Sequence, residues 1–90
     1  MRLDLFLKRI CLSKSRSLAA KGIDEGRVLL NGSKTKASRE IKPGDVLEVT
    51  SGGFKKSLKV LEVPGKQISK AAARDFYDIL DEIRILDEPW

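Results

Sequence analysis

The run Ser13-Lys14-Ser15-Arg16-Ser17 alternates hydroxyls with cations, just ahead of an apolar, helix-forming stretch. A helix start exposes N–H groups that have no intrahelical acceptor, and it carries the positive end of the helix dipole. Cations placed there are locally unfavourable, by roughly a few tenths of a kcal/mol at an exposed site. A bound anion reverses that sign. Backbone N–H groups, serine hydroxyls and two cations together form a phosphate site. On the other reading, Lys14 and Arg16 are long side chains pointing into water. Local physics leaves both readings open.

Few other residues offer chemistry. The chain has no histidine and a single cysteine, Cys11. That excludes an internal disulfide, a Cys/His zinc site, and Ser–His or Cys–His nucleophilic pairs within the chain. Cys11 is read as a small buried apolar group. The acids Asp75, Asp78, Asp81, Glu82, Asp87 and Glu88, set against Arg74 and Arg84, could mimic a paired-carboxylate site. They read instead as the wet face of a C-terminal helix. The expectation is a protein that is not an enzyme and takes no metal or cofactor.

Charge points to a partner. Residues 1–45 hold 11 Lys/Arg against 5 Asp/Glu, whereas residues 46–90 hold 7 against 8. A basic half beside a nearly neutral half predicts one electropositive face suited to a polyanion. No apolar run approaches the roughly 20 residues of a membrane helix. The stretch "MRLDLFLKRI" has an acid inside its apolar run and lacks the small-residue cleavage pattern of a signal peptide. A cytoplasmic location fits.

The elements that must position these residues follow from the hydrophobic period. Leu3, Phe6, Leu7 and Ile10 stand at i, i+3, i+4 and i+7, predicting a short amphipathic helix with Asp4 capping its start and Lys8 and Arg9 on the wet side. A second helix is expected from about Arg16 to Glu25, with Ser15 or Ser13 as N-cap and Gly26 as the left-handed residue past its end. Leu18, Ala19 and Ile23 would face inward. Gly22 lies inside this helix at a cost of about 1 kcal/mol relative to alanine, which close packing on the first helix would explain. The period then becomes extended. "RVLL", the turn Asn31-Gly32, and "SKTKA" read as a hairpin. "KPGD" is a turn, and "VLEVT" and "KSLKVLEV" are alternating strands around "SGG". After Pro64-Gly65, Ile68, Ala72, Phe76, Ile79 or Leu80, Ile83 and Leu86 form a helical stripe, with Ser69 as its N-cap. Lys55, Lys56 and Lys59 read as a solvated strand face.

Four pieces stand in order: Arg2-Leu3-Asp4, Ser15-Arg16-Ser17-Leu18-Ala19, Gly26 to Gly32 as "GRVLLNG", and Pro43-Gly44-Asp45 before a strand. This ordered set, over about residues 1–50, resembles the small RNA-binding domain named after ribosomal small-subunit protein four. The resemblance implies an α+β fold: two N-terminal antiparallel helices packed on a small antiparallel bent sheet, the alpha-L motif, followed here by a C-terminal helix. Residues 1–65 are expected to form the RNA-binding domain, and 66–90, from their own period and charge, an acidic helix and tail packed on it. The resemblance also implies that structured RNA binds on the helix face and is read by backbone and shape. Carried over by position, the contacts are Arg2, Lys14, Ser15, Arg16 and Lys21, with Lys8 on the first helix and Arg27, Asn31, Lys34 and Lys36 on the sheet side. For Asp4 and Asn31, capping and turn geometry suffice without RNA. No catalytic domain accompanies the motif. The register "MRLDLFLK…KSR" resembles stand-alone members, the bacterial RqcP group and relatives of heat-shock protein fifteen. That likeness implies a monomer binding rRNA and tRNA on the large ribosomal subunit in quality control of stalled nascent chains, beside a protein partner that tails those chains. The longer basic C-terminal extension of heat-shock protein fifteen is replaced here by an acidic tail. The other functions weighed are a generic structured-RNA binder and a protein-interaction module built on the acidic helix.

Overall fold

The computed structural model describes residues 1–51 and 53–84. Helix α1 (Leu3–Arg9) and helix α2 (Arg16–Asp24) come first. Strands β1 (Val28–Leu30), β2 (Ser33–Lys34), β3 (Val46–Ser51) and β4 (Phe54–Val60) follow, then a single helical turn α3 (Lys70–Ala73) and strand β5 (Tyr77–Arg84). All pairings are antiparallel, and the sheet order is β2-β1-β3-β4-β5.

The expected α1 stripe forms the centre of the core. Leu3, Phe6, Leu7 and Ile10 are each at most 2% exposed. They meet Ala19 and Ile23 of α2, and Val28, Leu30, Leu47, Leu58 and Val60 from the inner face of the sheet. Fully burying one such side chain contributes about 1.5–3 kcal/mol, so this layer of helices on sheet holds the domain together. Leu18 departs from expectation. It is 55% exposed, at the side of the open groove between α2 and the sheet.

The turns follow their chemistry. Asn31 and Gly32 both have positive φ (50° and 83°), the type I′ hairpin that matches strand twist. Gly26, past the α2 C-cap, has φ 80°. The returning strand of this hairpin is shorter than expected, only Ser33–Lys34.

The largest correction concerns the C-terminal segment. Ser69 does cap a helix, its hydroxyl accepting the Ala72 N–H at 3.1 Å. That helix ends after one turn, and residues 77–84 form a strand along β4. Cross-strand chemistry explains why. The acids taken for a wet helix face stand opposite the lysines of β4: Glu82 beside Lys56, with carboxylate and ammonium 3.4 Å apart, and Asp78 beside Lys59. Opposite charges across a strand pair, with apolar residues between them, outweigh the local helical period. Leu80 is the extra residue of a bulge between the Ser57–Asp81 and Leu58–Ile79 pairs. Of the expected helix stripe and acids, Leu86, Asp87 and Glu88 lie outside the described residues, as does Trp90.

Candidate nucleic-acid interface

The site centres on a residue taken from the sequence for a cap. Asp4 does not cap α1; the N-cap position is Arg2, with no side-chain cap bond. The Asp4 side chain turns into the contact between α1 and α2, and the residue is 3% exposed. There it accepts four hydrogen bonds. Arg2 donates from Nε to Oδ1 and from Nη2 to Oδ2, both at 3.2 Å. Arg16 donates from Nε to Oδ2 at 3.1 Å, and the Leu5 N–H donates to Oδ1 at 2.8 Å. One buried carboxylate therefore holds two guanidiniums from two helices side by side.

Each guanidinium carries five N–H donors in a planar fork. Arg2 uses two of them on Asp4 and Arg16 one, so three and four remain without a protein partner among the described residues. Both side chains are 47% exposed. The result is a rigid, outward-facing array of donors suited to phosphate oxygens. It adjoins the start of α2. Ser15 caps that helix, its hydroxyl accepting the Leu18 N–H at 3.1 Å, and Ser13 ties the loop by donating to the Ser15 carbonyl. The N–H groups of Arg16 and Ser17 belong to the first turn, which no helix satisfies internally. So Arg16 is tolerated at the positive end of the helix because it answers a carboxylate on the neighbouring helix.

Burial pushes the Asp4 carboxyl upward, but the hydrogen bonds from Arg16, Arg2 and Leu5 N–H outweigh it and hold the group below the ordinary aspartate range. A carboxyl lowered by folding adds stability that is complete above its unfolded value of about 3.9. That stability disappears as pH falls through the folded value. The melting temperature is therefore expected to drop on acidification below about pH 4, and Asp4→Asn should flatten that part of the curve. Thermal melts of both proteins from pH 7 to pH 2 check this.

The remaining candidates fall into separate groups. Lys14, Lys21 and Arg27 rim one groove between α2 and the sheet, where Arg27 also pairs with Glu25 at 3.2 Å. Lys34 and Lys36 surround the segment after β2, together with Arg39. The Arg39 carbonyl accepts the Leu3 N–H at 2.9 Å, so this segment is fastened beside Arg2. Lys8 stands apart, donating to Gln67 at 2.8 Å, and Arg9 donates to the Pro64 carbonyl at 2.9 Å. These two residues hold the strap 64–68 against α1 and are not fully wet. Asn31 is engaged in its turn: its carbonyl oxygen accepts the Val46 N–H at 3.0 Å. Cys11 is half-buried rather than buried, with φ 64°, and its thiol contacts the Ile68 carbonyl. Sequence reasoning missed Arg39 and Gln67. It also missed the use of Asp4, for which the only signal was the Arg-x-Asp spacing at positions 2 and 4.

A model of the S4 domain matches residues 1–47, the part of the chain that carries this array. The chain is 41% identical over 85 residues to the RQC P-site tRNA stabilizing factor of Bacillus subtilis, covering 94% of this chain and 98% of that protein. It is 35% identical to the protein of the same name from Streptococcus pneumoniae, covering 94% and 96%. Among solved structures it is similar to heat shock protein 15 of Vibrio cholerae. There the TM-score is 0.85 at 25% identity, and the match covers 88% of this chain and 80% of that one. The chain belongs to the S4 domain family.

Proposed function

We propose that this protein binds structured RNA through the α1–α2 face and acts on the large ribosomal subunit, holding tRNA against rRNA while a stalled nascent chain is dealt with. The observation that carries this reading is the pair of guanidiniums ordered on Asp4 beside the α2 N-terminus. It is a preorganised phosphate clamp, and preorganised donors lose little freedom on binding. The names of the relatives, P-site tRNA stabilizing factors, supply the ribosomal setting.

In this reading Arg2 and Arg16 grip backbone phosphates, Lys14 and Lys21 extend the positive field along α2, and Arg27, Lys34 and Lys36 add to it from the sheet side. Ser15 holds the helix end in place. The protein works by positioning, without chemistry of its own, in the cytoplasm as a monomer, with a separate protein doing the tailing. In the same reading residues 66–84 pack with residues 1–65 as one folding unit, which the pairing of β5 along β4 supports.

Sedimentation of a tagged protein from lysate tests the reading. The expected result is co-migration with free large subunits that retain peptidyl-tRNA. Migration at the top of the gradient at low salt would overturn the ribosomal assignment. Binding to a duplex-like RNA should also weaken with salt along a log–log slope of roughly −3 to −4, for about four neutralised phosphates. A flat salt response would remove RNA binding altogether.

A further inference from the structure

Among the described residues Gly22 is the one glycine inside a helix, and the packing expected to demand it is absent. A Cβ placed on it meets nothing within 4 Å. The missing side chain instead leaves open the wall of a groove of about 410 Å³ between α2 and the inner face of the sheet. That volume lies in the range of about 300–1,000 Å³ typical of small-ligand sites. The floor is apolar: Leu7, Ala19, Val28 and Val49, with the exposed Leu18 forming one wall. Lys14, Lys21 and Arg27 rim it, and Glu25, the one acid on the rim, is neutralised by Arg27. Thr50 and Ser13 supply hydroxyls at the lining. Lys14 immediately precedes the α2 N-cap, so the groove is continuous with the phosphate array.

We propose that this groove seats one unstacked nucleobase of the bound RNA. The proposal rests on the RNA-binding reading above and adds a base contact to it. A nucleobase has apolar faces, a polar edge and a phosphate on either side. Those features match an apolar floor, a few hydroxyls and a cationic rim. An apolar protein side chain would leave Lys14 and Lys21 without a counterpart, since among the three rim cations only Arg27 has an acid beside it. Contacts to a base's face tolerate any sequence, so the groove selects an unpaired nucleotide and not a particular base.

The test uses three RNA hairpins: one fully paired, one with a single-nucleotide bulge, and one with the bulged nucleotide made abasic. The intact protein should bind the bulged hairpin about tenfold more tightly than the other two, the scale of burying roughly 50–60 Å² of apolar surface at about 25 cal/mol per Å². Gly22→Met fills the groove, keeps every cation and replaces glycine with a better helix former. It should erase the preference while leaving affinity for the paired hairpin unchanged. The abasic comparison is made on the unmodified protein and does not depend on the variant folding. Equal, salt-sensitive binding of all three hairpins overturns the groove proposal and leaves the phosphate clamp standing. Salt-insensitive or absent binding of all three overturns both. A preference that survives in Gly22→Met places the base elsewhere. A variant with no altered RNA binding that no longer co-sediments with large subunits assigns the groove to a protein and overturns the proposal.

Discussion

Replacing both Arg2 and Arg16 with lysine is expected to reduce affinity for structured RNA by about tenfold or more, even though no charge is lost. Replacing both with alanine should reduce it by about a hundredfold or more, since a charge-assisted hydrogen bond contributes about 1.5–3 kcal/mol. The two variants separate charge from geometry. Lysine keeps the number of cations, so the salt slope should stay the same while the intercept falls. Alanine removes two phosphate contacts, so the slope should shrink by roughly 1.4–1.8. The lysine variant also keeps a counter-charge near Asp4 and should melt close to the original temperature. The alanine variant leaves the buried carboxylate with only the Leu5 N–H, and a lower melting temperature is expected from it. Titrations of a duplex-like hairpin at several salt concentrations, with melts of each protein, decide the matter. A lysine variant with unchanged affinity would show that the fork geometry carries nothing and that the array is only a patch of positive charge.

How much of this was legible beforehand depends on the range of the interactions involved. The α1 stripe, the Ser15 cap, Gly26 and the Asn31-Gly32 hairpin are written in adjacent residues, and each is found where local rules place it. Strand β5 is not local. The stretch from Ile68 to Ile83 satisfies a helical period, and what decides its conformation is pairing with β4, some 20 to 30 residues earlier in the chain. In the sequence the β4 lysines and the later acids each read as a solvated face, and nothing local shows that they pair. Gly22 shows the same limit in reverse. Its position in a helix is clear from the sequence, but the close packing expected to require it is not there: a Cβ would meet nothing within 4 Å. At the site, the cations could be picked out by type and spacing. Their grouping on Asp4 could not, because a first-turn aspartate looks the same whether it caps a helix or bridges two of them.

Asp4→Asn makes that distinction measurable, and its expected effect runs against simple charge counting. Removing a negative charge from beneath a phosphate site should, on net charge alone, tighten RNA binding. The geometry predicts the opposite, a loss of about tenfold at fixed salt. Asparagine keeps the size of the side chain but offers one carbonyl oxygen where the carboxylate offers two, and its NH2 group points donor at donor. Even with the amide oxygen at the Oδ2 position, which Arg2 and Arg16 share, Arg2 loses its second bond and the Leu5 N–H faces a donor. Both guanidiniums exchange a charged acceptor for a weaker neutral one, so each samples more rotamers before it meets a phosphate. The lost order must be restored on binding, at about 0.5–1.5 kcal/mol per long side chain immobilised. The variant also gives up a carboxylate buried between two half-exposed arginines, so a stability loss of about 1–2 kcal/mol is expected, less than for a fully buried pair because solvent screens both partners. Binding is therefore measured well below the variant's melting temperature. Tighter binding of Asp4→Asn would mean that Asp4 only subtracts charge from the face. Weaker binding with an unchanged salt slope would mean that the same cations are still present and that their arrangement, set by one carboxylate between two helices, is what the RNA recognises.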